Sequence, residues 1–160
     1  QWFPMVASFC DMMGATSILD YGAGKGTLGS AIAPRIVVPY DPAVPGIDAV
    51  PEPHDVVVCL DVLEHIEPEC LDYVLDDLAR CAVKGIFLTV NMRPAYKILA
   101  DGRNAHLIQK PFEWWMPKLW QRWDFMGGTK RGDVEFLFTG MNLARAQTII
   151  ESRERRGVAA

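Results

Sequence analysis

Short apolar runs recur along this chain, separated by segments in which apolar residues return every three or four positions. Four such runs predict buried strands, at residues 17–21, 36–40, 55–60 and 86–90. The run at 55–60 carries three consecutive valines at its centre. An unbroken apolar run of this kind is typical of a parallel strand that is covered on both faces.

Segments of helical period alternate with these strands. The sequence predicts helices at 2–13, 27–33 and 68–85. Pro34 stops the second helix, because proline cannot continue it, and Gly85 is expected to end the third. The alternation predicts an α/β fold, a Rossmann-like doubly wound sheet that is mostly parallel. In such folds ligands bind beyond the carboxyl ends of the strands.

The second half of the chain has a less regular pattern. Aromatic and apolar residues at helical spacing over 112–123 predict a helix that Pro117 kinks or restarts. Alternation at 133–139 predicts a closing strand. Residues 141–156 predict a final helix with a solvated, arginine-bearing face.

Composition and charge narrow the classes of function. The chain has 160 residues, 50% hydrophobic and 22% charged, which suits one domain over 1–160 with a single sizeable core. A formal charge of −4 argues against general nucleic-acid binding. No apolar run approaches the roughly 18 residues that a membrane span needs, so no membrane partner is expected.

The cysteines and histidines show no metal-ligand spacing. Cys10, Cys59, Cys70 and Cys81 form no C-x-x-C pair, and no histidine stands at a zinc-type distance from them. We therefore expect no metal. The sequence shows no secretory leader, so reduced thiols in a cytoplasmic protein are the expectation.

The most specific stretch follows the first predicted strand, where Asp20 closes an apolar run and glycine occupies positions 22, 24 and 26. A loop without side chains lets its backbone approach a ligand, and a nearby carboxylate favours a cation. The loop also fits the dinucleotide fingerprint G-x-G-x-x-G, but Asp20 would repel a pyrophosphate there. A phosphate loop fails because glycine follows Lys25 where a hydroxyl is needed. A plain strand-to-helix turn stays open.

The acidic-x-Gly-x-Gly-x-Gly pattern that begins at Asp20 resembles the first motif of class I S-adenosylmethionine-dependent methyltransferases. The resemblance implies S-adenosylmethionine as cofactor. Asp41 would accept the ribose hydroxyls, with a turn aspartate as the alternative. The residues that the resemblance assigns to the cofactor are Asp20, Tyr21, Gly22, Ala23, Gly24, Gly26, Asp41, Pro42, Leu60, Asp61 and Val62.

Residues 61–66, Asp-Val-Leu-Glu-His-Ile, form a second point of resemblance. They are similar to a cofactor-lining loop of small-molecule methyltransferases of the ubiquinone and menaquinone type. Glu64 is assigned to the acceptor site, with a helix-start acid as the alternative. His65 is either an acceptor contact or a packed histidine. The overall organisation also resembles compact phage and prophage methyltransferases.

Residues 91–132 are expected to be an insertion that sets acceptor specificity. They place a polar cluster beside large aromatic side chains, a combination that can form a pocket. His106 is the predicted general base, because imidazole titrates near neutral pH and because a base must touch the acceptor rather than the cofactor, which places it ahead of His65. Catalysis by proximity alone, without either histidine, is the alternative. Core packing is the alternative for the tryptophans. The other residues assigned to the acceptor site here are Asp101, Arg103, Asn104 and Trp115.

The connection between Asp41 and Asp55 is short. Only 13 residues, rich in proline, stand where the resembled family places a helix and a strand. We therefore expect a minimal version of the fold, shortened after the second strand, with the family's terminal antiparallel strand. A less covered sheet edge invites pairing with another chain, so a homodimer is expected.

Together these features predict methyl transfer to an oxygen or nitrogen of a small-molecule acceptor by direct in-line displacement. Two other functions stay open. A catalytically silent module would bind S-adenosylmethionine without turnover, and an NAD-dependent oxidoreductase would bind a dinucleotide instead.

Overall fold

Six strands form one mixed sheet in the computed structural model, which describes residues 2–142. They are β1 (Ile18–Tyr21), β2 (Val37–Tyr40), β3 (His54–Leu60), β4 (Ala82–Asn91), β5 (Asp124–Arg131) and β6 (Glu135–Met141). Their order is β2-β1-β3-β4-β6-β5. The first four strands pair in parallel, whereas β6 is antiparallel to both β4 and β5. The predicted α/β sheet, mostly parallel with a terminal antiparallel strand, is confirmed.

Helices connect the strands at nearly the predicted places. The bounds are α1 (Phe3–Met12), α2 (Thr27–Ala31), α3 (Leu71–Cys81) and α4 (Phe112–Trp120), with 3-10 turns at Leu63–His65 and Pro68–Cys70. Pro117 lies inside α4 and does not start a new helix. The final helix predicted at 141–156 lies outside the described residues, apart from its first two positions, of which Met141 belongs to β6.

The sheet buries a core on each face. Alternate residues of β3 point to opposite sides, so Val57 and Cys59 join the larger cluster with α3 and α4, while Val56 and Val58 join the cluster under α1. All four side chains are fully buried. This is the two-sided burial that the valine run predicts.

The connection from β2 to β3 contains no helix or strand. Its residues, 41–53, form turns held by local backbone bonds, such as Asp41 N–H to Ile47 O at 2.9 Å. The prediction of a fold shortened after the second strand is therefore confirmed. It leaves β2 as one edge of the sheet.

The junction of α3 and β4 corrects one predicted boundary. The helix ends at Cys81 and β4 begins at Ala82, so Gly85 lies within the strand and is no helix cap. Close packing explains the glycine: a Cβ there would lie 2.8 Å from Gly140 O and 2.9 Å from Met13 Cε. Position 85 is therefore glycine because a neighbouring strand and the end of a helix approach it closely, and not because a helix ends there.

A second correction concerns the predicted insertion, 91–132. Its last part is the edge strand β5, which continues into β6 through a tight turn. The apolar pattern does not reveal β5, because much of it is exposed and Gly127 and Gly128 interrupt it. A Cβ on Gly128 would lie 2.5 Å from Leu137 O, so the backbone approach requires glycine. The irregular part of the insertion is the loop 92–111, ahead of α4.

Candidate functional site

The glycine loop leaves β1 at the carboxyl edge of the sheet. Gly22, Gly24 and Gly26 have φ values of 81°, 51° and 67°, a left-handed conformation that favours glycine. At Gly22 space is limiting as well, because a Cβ would lie 2.5 Å from Val62 Cγ2. At Gly24 and Gly26 a Cβ would meet nothing within 4 Å. The loop therefore packs against Val62 at one end and opens toward solvent at the other.

A cavity of about 310 Å³ lies between this loop and the ends of β1 and β3. Ligand sites usually start at about this volume. Five residues predicted for the cofactor line it: Asp20, Gly22, Ala23, Leu60 and Asp61. Five lining residues were not predicted: Trp2, Phe3, Thr27, Leu28 and Glu135. Trp2, Phe3 and Glu135 were missed because the sequence pattern around them indicates only a helix and a strand. It does not indicate that these elements line a cavity.

Asp20 is the buried carboxylate of this cavity. Only 6% of its surface is exposed. Burial, and secondly the negative charge of Asp41, raises its pKa from 3.8 to about 6. A bound cation would favour the ionised form and reverse this penalty.

Asp41 shapes the glycine loop from the end of β2. Its Oδ2 accepts a hydrogen bond from Gly24 N at 2.9 Å, and its Oδ1 accepts one from Ala43 N at 2.9 Å. Pro42, which follows Asp41 in the sequence, is exposed and does not line the cavity. The turn-aspartate alternative describes the bond from Ala43 N, whereas the bond from Gly24 N links Asp41 to the glycine loop. A carboxylate has about four lone-pair sites, so Asp41 keeps acceptor capacity for a ligand.

Two residues assigned to the cofactor support the loop from beneath it. Tyr21 is buried, packs edge-to-face on Tyr40, and donates its hydroxyl hydrogen to Asp77 Oδ2 at 3.0 Å. Val62 fills the space that the missing Gly22 side chain leaves. These side chains position the loop and do not line the cavity.

Asp61 is held in an unusual backbone conformation at the cavity wall. Its φ of 53° makes it the one described non-glycine residue with positive φ. Buried Thr89 fixes it: the hydroxyl donates to Asp61 Oδ1 at 2.8 Å and accepts from Asp61 N at 3.1 Å. Residues held in sparsely populated conformations cluster at functional sites.

Glu64 lies beyond Asp61 and is completely buried. Its Oε1 accepts a hydrogen bond from Asn91 N at 3.0 Å, whereas Oε2 has no partner among the described residues. Burial raises the pKa of Glu64 to about 8, although its own backbone N–H and that of Asn91 oppose the shift. Glu64 does lie in the first turn of the 3-10 segment Leu63–His65, as the helix-start alternative has it, but its side chain is buried.

The polar cluster 101–106 mostly bonds within its own loop. Arg103 pairs with Asp101 and with Glu67, each at 2.7 Å. Asn104 donates to Ala95 O at 2.9 Å, and its Oδ1 accepts from Ala95 N and His106 N. These bonds fix the loop. The assignment of Asp101, Arg103 and Asn104 to acceptor binding stays a prediction.

The loop brings the two histidines together. Their rings meet edge-to-face, with centroids 4.7 Å apart. His65 Nδ1 bonds to Ala105 O at 2.8 Å and His106 Nδ1 bonds to Arg93 O. A carbonyl oxygen only accepts, so each Nδ1 carries a hydrogen and each Nε2 is the nitrogen left to bind.

Glu64, His65 and His106 form one cluster, in which a potential ligand atom of each lies within 4.8 Å of those of the others. The sequence analysis predicts no metal, because local spacing does not reveal a cluster whose third member, His106, comes from a loop far along the chain. No spacing rule covers such an arrangement.

Trp115 corrects the predicted acceptor pocket. It is fully buried, its indole nitrogen donates to Lys110 O at 3.1 Å, and its ring packs near Phe136. It is a core residue of α4 with no surface to offer a ligand. Trp123 is buried as well, whereas Trp120 is 58% exposed. Core packing, the alternative weighed for the tryptophans, is confirmed for Trp115 and Trp123.

No protein-family model and no curated protein sequence matches this chain. Solved structures do match. The chain is 13% identical, with a TM-score of 0.65, to 1,6-didemethyltoxoflavin-N1-methyltransferase of Burkholderia thailandensis, crystallised with its substrate and S-adenosylhomocysteine; the match covers 88% of this chain and 77% of that one. It is 17% identical, with a TM-score of 0.61, to magnesium protoporphyrin IX methyltransferase of Synechocystis PCC 6803 with bound S-adenosylhomocysteine, covering 88% and 81%.

A third match is the N-terminal domain of EvdMO1, crystallised in the presence of S-adenosylhomocysteine and D-fucose. It has 16% identity and a TM-score of 0.58, and the match covers 87% of this chain and 82% of that one. The chain thus has the fold of class I S-adenosylmethionine-dependent methyltransferases. None of the described helices has the length and apolar character of a membrane span.

Proposed function

We propose that this protein is an S-adenosylmethionine-dependent methyltransferase that acts on an oxygen or nitrogen of a small-molecule acceptor. The observation that carries the proposal is Asp20, a buried carboxylate in the wall of a 310 Å³ cavity beside the glycine loop. The fold supports the proposal, since its structural neighbours hold this cofactor or its product.

Charge favours this cofactor over a dinucleotide. S-adenosylmethionine carries a sulfonium and an ammonium group, and both are attracted by Asp20 and by the acidic residues near it, Asp41 and Asp61. The pyrophosphate of NAD would be repelled by the same groups in a poorly solvated cavity. The proposed roles are cation binding for Asp20, ribose binding for Asp41 and backbone contacts for the loop 22–26.

The proposed reaction is one displacement at carbon. A lone pair of the acceptor attacks the methyl carbon opposite the sulfur, the carbon–sulfur bond breaks, and its electrons stay on sulfur as S-adenosylhomocysteine forms. Holding the two reactants about 3 Å apart and aligned supplies much of the rate. An acceptor that carries a proton must lose it during or after this step.

His106 is the proposed base for that proton, with His65 as the alternative. His106 is 92% buried and His65 is exposed, and both have Nδ1 occupied by a backbone carbonyl. A neutral imidazole in this tautomer can accept a proton at Nε2. The arrangement supports either histidine, and the acceptor geometry decides between them.

Calorimetry with S-adenosylhomocysteine and NAD tests the proposal. We expect the first to bind and NAD not to bind. Asp41→Ala should weaken the binding by about ten- to a hundredfold, because a charge-assisted hydrogen bond is lost. Asp133→Asn is the control, since the Asp133 side chain is 95% exposed. Tight NAD binding, or equal affinities of Asp41→Ala and wild type, would contradict the proposal.

A further inference from the structure

The buried carboxylate oxygen of Glu64 lacks a hydrogen-bond partner. Glu64 is 0% exposed, its Oε1 is bonded to Asn91 N, and its Oε2 has no partner among residues 2–142. An unpaired buried carboxylate oxygen costs free energy and indicates a ligand or another functional role. The other two members of the cluster that contains Glu64 are the rings of His65 and His106.

In both rings Nε2 is the nitrogen that remains for binding. Each donates its Nδ1 hydrogen to a backbone carbonyl, of Ala105 for His65 and of Arg93 for His106. Metal-binding histidines nearly always make such a second bond, which fixes the ring and selects the tautomer. The cluster thus has the outer bonds of a metal site as well as its ligand types.

We propose that Glu64, His65 and His106 bind one divalent first-row transition-metal ion, through Oε2 of the glutamate and Nε2 of each histidine. Metal and proton compete for the same Nε2 lone pair, so the proposed role of His106 as a base applies to the metal-free protein. Two imidazoles and one carboxylate suit zinc or iron(II) better than calcium or magnesium, which prefer six or more oxygen ligands. The ion would supply the partner that Glu64 Oε2 lacks.

The same three ligands leave a coordination position open. Zinc sites that are structural have four protein ligands, whereas sites with three keep a place for water or substrate. Solvent reaches this cluster on the side of His65, which is exposed. The proposed centre is therefore of the open kind.

The surrounding bonds hold the ligands from two directions. Ile108 N donates to Glu64 O at 3.0 Å, which ties the loop 92–111 to the turn that carries Glu64 and His65. Asn104 Oδ1 accepts from His106 N at 2.9 Å and fixes that backbone. Two atoms bound to one ion at about 2.1 Å lie at most about 4.2 Å apart, so candidate atoms as far as 4.8 Å apart would have to move slightly closer to share one ion.

Cobalt(II) titration of the full chain, stripped of metal with a chelator, tests the proposal. We expect one equivalent to bind with visible d–d bands of a four- or five-coordinate ion, and zinc to displace it. Loss of a group that hydrogen-bonds to a metal ligand weakens metal binding by about 10- to 100-fold. His65→Ala removes a ligand itself, so it should weaken metal binding by more than that. Glu64→Gln should weaken it too. His54→Ala, which removes the one histidine outside the cluster, should bind as wild type.

His65 is exposed, so its replacement leaves the core intact, and circular dichroism checks the fold of every variant. The proposal is overturned if wild type binds no equivalent, if His65→Ala binds like wild type, or if magnesium outcompetes zinc. It does not depend on the proposed methyl transfer, because S-adenosylhomocysteine affinity of the metal-free protein is measured separately. If the metal-free wild-type protein does not bind S-adenosylhomocysteine, the methyltransferase proposal is wrong, and the proposed metal centre is unaffected.

Discussion

Replacing Asp20 with asparagine tests whether its buried charge is retained for a ligand. Burial and the charge of Asp41 raise the pKa of Asp20 from 3.8 to about 6. An acid whose pKa rises on folding destabilises the folded state above that pKa. The destabilisation fades as the pH falls from the folded pKa to the unfolded one.

A shift of about two pKa units, at about 1.4 kcal/mol each, corresponds to about 3 kcal/mol at about pH 7. Asp20→Asn removes the ionised form. We therefore expect the ligand-free variant to be more stable than wild type near neutral pH, by up to about 3 kcal/mol. The gain is smaller by the free energy that the buried asparagine amide costs if it lacks hydrogen-bond partners. Near the unfolded pKa of an aspartate the two proteins should be equally stable.

The same substitution should weaken binding of S-adenosylmethionine by about ten- to a hundredfold, since a charge-assisted contact is lost. Stability and affinity thus change in opposite directions. Denaturant unfolding at both pH values gives the first quantity and calorimetry the second, with Asp133→Asn as the exposed control. A variant that is less stable than wild type near neutral pH, or that binds the cofactor equally well, would refute the reasoning.

Three further outcomes are expected. Gly22→Ala should abolish cofactor binding and lower stability, because its Cβ would lie 2.5 Å from Val62 Cγ2; a well-folded variant with full affinity in calorimetry would contradict this. Once an acceptor is known, His106→Ala should lower turnover by about 10²–10⁴-fold while cofactor affinity stays nearly unchanged; wild-type rates in steady-state assays would move the role elsewhere. Sedimentation should show a homodimer; a single 17.9 kDa species at micromolar concentration would count against it.

The sequence predicts the first strands and the glycine loop because their signals are local. Asp20 and the three glycines stand next to one another, and the valines of β3 report burial on both faces directly. Each feature depends on the backbone of a few consecutive residues. The positions of the first four strands, of the glycine loop and of the shortened connection could therefore be inferred before any contact was known.

The features that were missed depend on contacts between distant segments. Gly85 was assigned to a helix end, but it is glycine because Gly140 and Met13 pack against it. Glu64 and His106 meet only because the loop after β4 returns to the turn after β3. The weakly apolar β5 forms a strand because its backbone pairs with the edge of β6. No pattern within a short window contains this information.

The position of β6 in the sheet has a consequence for synthesis. This strand, 135–141, is inserted between β4 and β5, although it follows both in the chain. Until the ribosome has released it, the ten-residue edge of β4 has a free row of backbone donors and acceptors flanked by apolar side chains. Such an edge pairs readily with other chains. This edge is covered only once β6, which also pairs with β5, has paired with β4.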